Sequence, residues 1–232
     1  MAAISKAQIK LVRSLQHKKY RDELGLFVAE GKKCIEELKK GFELVLEANH
    51  ENATETELAQ MSSLKTPQGD IAVFKKGKKQ PSDKDTLILA LDGIQDPGNL
   101  GTIIRTCDWF GVHHIICSND TADCYNSKVV QATMGALTRV QLTYTDLPAW
   151  LATQQGPIYG TLLDGKNMYE TPLTKSGIIV MGNEGNGISQ TVRKLITSPI
   201  RIPSYPPQAE TSESLNVATA TAIVLAEFRR LG

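Results

Sequence analysis

A glycine-rich loop carries the most chemical information in this sequence: Gly182-Asn183-Glu184-Gly185-Asn186-Gly187. It follows the apolar run Ile178-Ile179-Val180-Met181, which is typical of a buried parallel strand. Ligands of open α/β sheets bind at the carboxyl ends of such strands. The glycine spacing is the reverse of the dinucleotide fingerprint, and the carboxylate of Glu184 would repel a pyrophosphate. The loop therefore predicts a ligand-binding edge that serves something other than a phosphate.

A second polar loop, residues 92–101, follows the apolar run at 87–91 and leads into a helix. Its proline and glycines indicate a tight turn. Asn99 either faces a ligand or caps the following helix. Arg105 lies between Ile104 and Cys107 on that helix, so we expect it to be buried, and a buried arginine normally needs an anion.

The third loop is the long polar stretch from residue 202 to residue 216, which leads into the last helix. Ser214 in this loop is either a site residue or the N-cap of that helix. Glu184 has a similar alternative, as a cap of the helix that starts near Ser189. Each capping role is reasonable alone, but three such loops at one sheet edge favour a functional site.

Strands and helices alternate from residue 86 onward, which predicts βαβ units and a mostly parallel sheet. We predict strands at 87–91, 114–117, 140–144, 157–163, 178–181 and 198–202, and helices at 100–110, 127–134, 147–154 and 214–230. A small α/β unit precedes them, with helices at 5–17, 31–40 and from 54, and strands at 24–29, 42–46 and 71–74. The expected domains are a small unit at 1–78, a linker at 79–85 and an α/β domain at 86–232.

Composition narrows the class of protein. The chain has 232 residues, 41% of them hydrophobic, and a net charge of +1, which suits one or two globular domains. It shows no signal peptide and no apolar run long enough for a membrane span. The four cysteines lack the spacing of zinc ligands, so we predict no metal site and a cytoplasmic, reduced protein.

Charge is unevenly distributed near the N-terminus. Residues 1–40 contain ten Lys/Arg and five Asp/Glu, whereas residues 41–64 contain five Glu and no Lys or Arg. Such local basic faces are compatible with nucleic acid, and equally with an ordinary solvated helix face. The basic residues of the first predicted helix and its end are the candidate RNA face: Lys6, Lys10, Arg13, Lys18 and Lys19.

Three motifs in this order resemble the SpoU-type (TrmH-like) branch of the SPOUT RNA methyltransferases. They are Asn99 and Arg105 after a strand, then the loop at 182–187, then Ile202-Pro203 followed by Glu213-Ser214-Leu215-Asn216-Val217-Ala218. The resemblance covers about residues 86–230. The first unit, with Phe27-Val28-Ala29-Glu30-Gly31 and Thr66-Pro67-Gln68-Gly69, resembles the small α/β RNA-binding domain that many of these enzymes carry.

The resemblance implies transfer of a methyl group from S-adenosyl-L-methionine to a ribose 2′-hydroxyl of rRNA or tRNA. It also implies a parallel-sheet α/β domain with a C-terminal trefoil knot, and a homodimer whose two subunits complete the active site. The residues that would face the ribose are Asn99, Arg105, Glu184, Ser214 and Asn216. Those that would hold the cofactor are Thr161, Gly182, Asn183, Gly187, Ile202 and Leu215.

One departure from the family pattern concerns the link before Ser214, which is longer here and lacks the usual glycine. It leaves the cofactor contacts of residues 204–212 open. In the family the counterpart of Arg105 is proposed to be the general base. Because arginine resists deprotonation, we favour a role in which Arg105 clamps a phosphate and stabilises developing negative charge, with Glu184 and Asn99 orienting it.

Two functions from other classes compete with this interpretation. A catalytically silent RNA-binding protein of the same fold is disfavoured because the four polar motif residues Asn99, Arg105, Glu184 and Asn216 are all present. A nucleotide-cofactor oxidoreductase is disfavoured by the reversed glycine spacing. We expect rRNA as the substrate, with tRNA as the alternative.

Overall fold

The structure, a computed structural model, describes residues 3–64, 66–77, 87–206 and 214–230. Its helices are α1 (Lys6–Ser14), α2 (Lys18–Leu24), α3 (Lys32–Leu38), α4 (Glu55–Met61), α5 (Pro97–Trp109), α6 (Ser127–Thr133), α7 (Leu147–Ala152), α8 (Gln190–Arg193) and α9 (Val217–Arg230). Its strands are β1 (Leu26–Glu30), β2 (Leu44–Ala48), β3 (Ile71–Lys75), β4 (Leu87–Asp92), β5 (His114–Ser118), β6 (Gln141–Thr145), β7 (Ile158–Asn167), β8 (Gly177–Gly182) and β9 (Ser198–Arg201). Short 3-10 helices lie at Ala136–Thr138 and Met168–Glu170.

The chain divides into two units by the contacts among its residues. The first comprises residues 1–80 and 123–139, and the second comprises residues 81–122 and 140–232. The segment 123–139, which lies inside the predicted α/β domain, thus packs with the N-terminal residues. The predicted linker at 79–85 lies outside the described residues and stays a prediction.

The first unit is built on an antiparallel sheet of order β1-β3-β2. Alternating residues of β1 and β3 point to opposite faces. Val28 and Val73 join one core cluster with residues of α1 and α4. Phe27 on the other face stacks with Phe74, and its ring centroid lies 4.8 Å from that of Tyr125. The sheet is therefore covered on both faces, one of them by the segment 123–139.

One helix of the first unit differs from the prediction. The prediction of a single helix at 5–17 followed by a strand from Leu24 is wrong. The chain turns after Ser14 and forms a second helix, α2, before the first strand. Gly25, at φ +65°, ends α2 in the left-handed conformation that glycine adopts without steric cost. The apolar pattern of residues 24–29 was misleading because it included Leu24. This leucine lies at the end of α2 and is exposed, so it is not part of the buried strand.

The second unit contains a parallel sheet of order β6-β5-β4-β8-β7-β9. This confirms the predicted parallel-sheet α/β fold. Its central strands β4 and β8 are almost entirely buried, as expected where helices cover both faces. In the register, Asp92 at the end of β4 pairs with Gly182 at the end of β8. The first two candidate loops thus start side by side at the carboxyl edge. The trefoil knot stays a prediction.

All four cysteines are buried, and none of them forms a disulfide bond. Burial raises the pKa of the Cys34 thiol to about 11, so it stays protonated at neutral pH and packs as a small apolar side chain. Within the ranges that the structure describes, no helix is both long and apolar enough to cross a membrane.

Candidate active site

The glycine loop folds back on itself directly after β8. The backbones of Asn183 and Gly187 exchange two hydrogen bonds of 2.9 and 3.0 Å. The side-chain oxygen of Asn183 accepts from the backbone N–H groups of Gly185 and Asn186 at 3.0 Å each. Its amide nitrogen donates to the carbonyl of Gly93 at 2.6 Å. Asn183 therefore fixes the loop and ties it to the turn after β4.

The closed loop has room only for glycine at position 182. A Cβ atom built there would lie 2.3 Å from the carbonyl carbon of Gly187 and 2.3 Å from the nitrogen of Ile188. Both atoms belong to the backbone, so no side-chain movement relieves the clash. The close backbone approach explains why a glycine ends this strand.

Three polar residues from the three loops are joined by hydrogen bonds. The Glu184 carboxylate accepts from the side-chain amide of Asn99 at 3.1 Å and from the backbone N–H groups of Gln95 and Asp96 at 3.3 Å each. The amide oxygen of Asn99 accepts in turn from the side-chain amide of Asn216 at 2.9 Å. We call Asn99, Glu184 and Asn216 the polar cluster. Its carboxylate lies at the N-terminal end of α5, where the helix dipole favours negative charge.

The two capping alternatives for the first and second loops are wrong. Asp96, not Asn99, caps α5, since its side chain accepts from the N–H of Asn99 at 2.8 Å. Ser189, not Glu184, caps α8. The side-chain amide of Asn99 is instead hydrogen-bonded to the Glu184 carboxylate.

The third loop reaches the polar cluster through Asn216. Its side-chain oxygen accepts from the N–H groups of Ala218 and Thr219 at 3.0 and 3.2 Å, so Asn216 caps α9. The expectation that the last helix starts at Ser214 is wrong, because α9 begins at Val217. Ser214 is exposed and lies beside the cavity described below.

Arg105 corrects a further expectation, because the structure places it on the exposed side of α5. Neighbouring residues on a helix point about 100° apart, so apolar neighbours in sequence do not imply burial. In the part of the chain that the structure describes, Arg105 forms no hydrogen bond or ion pair, so Glu184 of the same chain does not bind it, and the orienting role of Glu184 and Asn99 stays a prediction. The face of α5 that is buried holds Leu100, Gly101, Ile103, Ile104 and Cys107.

A cavity of about 340 Å³ opens at the carboxyl edge of the sheet, between the glycine loop and the ends of β7 and β9. Glu184 belongs both to its wall and to the polar cluster. The structure brings together at this cavity all six residues predicted for cofactor contact: Thr161, Gly182, Asn183, Gly187, Ile202 and Leu215.

Other residues of the cavity wall were not foreseen. They are Leu162, Leu163, Met181, Gly185, Asn186, Ile200, Arg201, Val217 and Ala220. Leu162 and Leu163 reach the wall because β7 has an irregularity in which Thr161 and Lys166 both pair with Ile200. In the sequence, the only sign of their role was that several of them are next to a residue of one of the three motifs. The described residues contain no group of His, Cys, Asp and Glu that could hold a metal ion.

Comparison with known proteins settles the family. The model of the SpoU rRNA Methylase family matches residues 86–226, which span all three loops. This chain belongs to the SpoU rRNA methylase family. The match confirms the resemblance of the three motifs. A second model, the MRM3-like substrate binding domain, matches residues 6–49.

Relatives of this SpoU-family chain match it over nearly its full length. RlmP of Bacillus subtilis, named a 23S rRNA (guanosine(2553)-2′-O)-methyltransferase, is 28% identical over 96% of both chains. A TrmH-family protein from Porphyromonas gingivalis is 38% identical, with a TM-score of 0.88 over 100% of both chains. An AdoMet-bound rRNA methyltransferase from Sinorhizobium meliloti is 28% identical, with a TM-score of 0.84 over 100% of this chain and 97% of that one.

Proposed function

We propose that this chain is an S-adenosylmethionine-dependent enzyme that methylates a ribose 2′-hydroxyl of RNA, with rRNA as the favoured substrate. The main support for the proposal is the position of the polar cluster at the rim of the cavity. Glu184 belongs to the cluster and also to the cavity wall. A methyl donor in the cavity and a hydroxyl at the cluster would lie side by side. The SpoU family membership supports this assignment, and the 23S rRNA named for RlmP favours rRNA over tRNA.

S-adenosylmethionine suits the cavity in size and chemistry. Cavities that hold ligands of this class measure roughly 300–1,000 Å³, and this one measures about 340 Å³. The glycine loop offers backbone groups, and Met181, Ile202 and Leu215 offer apolar surface. The S. meliloti relative has been solved with AdoMet bound. When bound, the cofactor supplies a methyl group that its sulfonium has already activated.

The polar cluster would position the acceptor. The ribose hydroxyl is a weak nucleophile until its proton is removed or its alkoxide is stabilised. Asn99 and Asn216 each carry amide groups that can hold a sugar hydroxyl, and the Glu184 carboxylate can accept a hydrogen bond from it. Their mutual hydrogen bonds fix the three side chains before substrate arrives, which reduces reorganisation in the transition state.

Arg105 supports a second part of the proposal, a homodimer through the α/β domain. Arg105 is exposed and forms no hydrogen bond with the polar cluster of its own chain among the described residues. Trp109, one turn further along α5, is 85% exposed, and a large exposed apolar side chain is typical of an interface. We therefore propose that Arg105 serves the site of a second copy. Action on rRNA would place the enzyme in the cytoplasm.

Calorimetry tests the cofactor assignment directly. We expect S-adenosylmethionine to bind the purified chain and NADH not to bind. Binding of NADH alone would favour the oxidoreductase alternative and overturn the proposal. Mapping ribose methylation across total RNA from cells with and without the gene then identifies the substrate, and an unchanged map would favour the catalytically silent RNA-binding protein.

Gly182→Ala is expected to weaken binding of S-adenosylmethionine by about tenfold to a hundredfold, because overpacking of this kind costs about 1–3 kcal/mol. The added methyl group collides with the backbone of Gly187 and Ile188 and opens the loop. Gly185→Ala is the matched control for a methyl group added to the same loop at the cavity wall, since a Cβ there meets only the side-chain oxygen of Asn183, at 3.7 Å, and leaves the loop closed. Calorimetric titration of both variants measures the difference. Equal losses would show that the closed loop is not required.

A further inference from the structure

A groove in the first unit lies along α1 and the start of α2, and it plays no part in the site described above. It has a volume of about 710 Å³. Four exposed side chains with basic or aromatic character border it, namely Lys10, Arg13, His17 and Tyr20. None of the described residues that line it is acidic.

The placement of these residues follows from the pattern of α1. Ile9 and Val12 are buried in the core of the first unit. Lys10 and Arg13 are three residues apart, so they lie on one exposed side of α1, and His17 follows after the turn, at the N-cap position of α2. A capping box at Ser5 holds the start of α1. The basic stripe is thus presented by a well-defined helix.

Lys10 and Arg13 are available to an external anion. Residues 1–21 contain six Lys/Arg and no Asp or Glu. Lys18 is paired with Asp22 at 2.7 Å and Arg21 with Asp123 at 2.7 Å, whereas Lys10 and Arg13 form no ion pair with any residue that the structure describes. Unneutralised cations in one groove favour a polyanion.

The aromatic side of the groove is Tyr20, whose side chain is 40% exposed. The His17 ring stands edge-on to it, with centroids 6.4 Å apart and planes at 69°. Although His17 occupies the N-cap position of α2, its side chain caps no backbone group. Lys19 Nζ lies 6.0 Å from the Tyr20 ring centroid. A supported aromatic ring beside unpaired cations is the arrangement that binds single-stranded nucleic acid.

We propose that this groove, lined by Lys10, Arg13, His17 and Tyr20, binds an unpaired segment of the RNA substrate, with phosphates at Lys10 and Arg13 and a base stacked on Tyr20. The inference rests on the proposed function only in taking RNA as the substrate. An A-form duplex keeps its base faces stacked and hidden, so the ring selects unpaired nucleotides. A volume of about 710 Å³ leaves room for about one or two nucleotides, by the scale of ordinary ligand pockets.

Fluorescence anisotropy with the full chain tests the groove, using a short unstructured RNA and a fully paired RNA duplex of equal length. Tyr20→Ala is expected to weaken binding of the unstructured RNA about tenfold, within the range for one stacked base, and to leave duplex binding unchanged. Tyr20→Phe should retain affinity. Lys10→Ala and Arg13→Ala should each reduce the slope of log affinity against log salt by about 0.7, whereas Tyr20→Ala should leave that slope unchanged.

Matched controls separate the groove from general effects. Tyr169, 49% exposed in the second unit, is the aromatic control, and exposed Lys33 on α3 is the basic control. Equal binding of the unstructured RNA by the wild type and Tyr20→Ala would overturn the proposal. The proposal would also be overturned if Lys10→Ala and Arg13→Ala both left the RNA affinity and its salt dependence unchanged. An acidic protein would then be the expected partner of the groove. S-adenosylmethionine binding, measured in parallel, reports on the proposed function independently of the groove.

Discussion

Replacing Arg105 with alanine is expected to lower the kcat of methyl transfer by about a hundredfold to a thousandfold, the usual cost of removing one preorganised donor from a transition state. Negative charge builds up on the ribose oxygen as its proton passes to solvent water, and a guanidinium that stays protonated can stabilise that charge. Affinity for S-adenosylmethionine should be unchanged, because the proposed role of Arg105 is toward the RNA acceptor, and the cavity of its own chain is formed without it. Single-turnover kinetics and calorimetry measure the two quantities. Loss of cofactor affinity instead of kcat would contradict the assigned role.

Arg105→Lys separates charge stabilisation from general-base catalysis. Lysine keeps the positive charge but lacks the planar fork of donors, so we expect partial activity and a pH–rate profile like that of the wild type. A lysine acting as the base would have to lose its proton, with an unperturbed pKa of about 10.4. Restored turnover with a shifted alkaline limb would therefore assign the base role to Arg105 and contradict the clamp.

Mixing two inactive variants tests whether the site is shared between subunits. Arg105→Ala and Glu184→Gln should each be inactive alone. In a two-fold symmetric dimer with shared sites, random reassociation gives one intact site in each mixed dimer, so about a quarter of wild-type activity returns. No recovery after confirmed subunit exchange would place Arg105 and Glu184 of one chain in the same site.

Arg21→Ala is expected to lower the free energy of unfolding of the first unit by about 3–5 kcal/mol, the usual cost of removing one partner of a buried ion pair. The Arg21 side chain is 3% exposed. Its Nε and Nη2 donate to the same Asp123 oxygen at 2.9 and 2.7 Å, and its Nη1 donates to the carbonyls of Leu15 and Gln16 at 2.9 Å each. The variant leaves a nearly buried carboxylate without its cation.

Urea unfolding and hydrogen exchange measure this effect. Exchange should accelerate most in α6, because Asp123 begins the segment 123–139 that packs in the first unit. Lys18→Ala is the control, since its pair with Asp22 is exposed and exposed helix pairs contribute about 0.3–0.5 kcal/mol. Replacing Arg21 and Asp123 together with apolar residues should recover much of the loss. A loss for Arg21→Ala as small as that of the control would contradict the prediction.

The position of the candidate site could be predicted from residue patterns. Continuous apolar runs followed by polar, glycine-containing loops indicate parallel strands, and the carboxyl ends of parallel strands share one edge of a sheet. This reasoning placed the loops at 92–101, 182–187 and 202–216 together, and the structure joins them through the polar cluster. The glycine spacing of the loop indicated that glycine is needed at position 182. It did not reveal the reason, which is the close approach of the backbone of Gly187 and Ile188.

Local pattern did not predict which side chains meet or which face solvent. Asn99 meets Glu184 because β4 and β8 are neighbours in the sheet, and Asn216 meets Asn99 across 117 residues of sequence. The exposure of Arg105 depends on which side of α5 packs on the sheet. The burial of Arg21 depends on Asp123, 102 residues away.

The amino-acid sequence on its own therefore determined the class of fold, the edge that carries the site and the family of the chain, because these depend on local periodicity and short motifs. The tertiary structure alone decided the order of the strands, the polar cluster and the packing of residues 123–139 in the first unit. Those features arise from burial and strand pairing between distant segments, and such contacts leave no periodic trace in the chain.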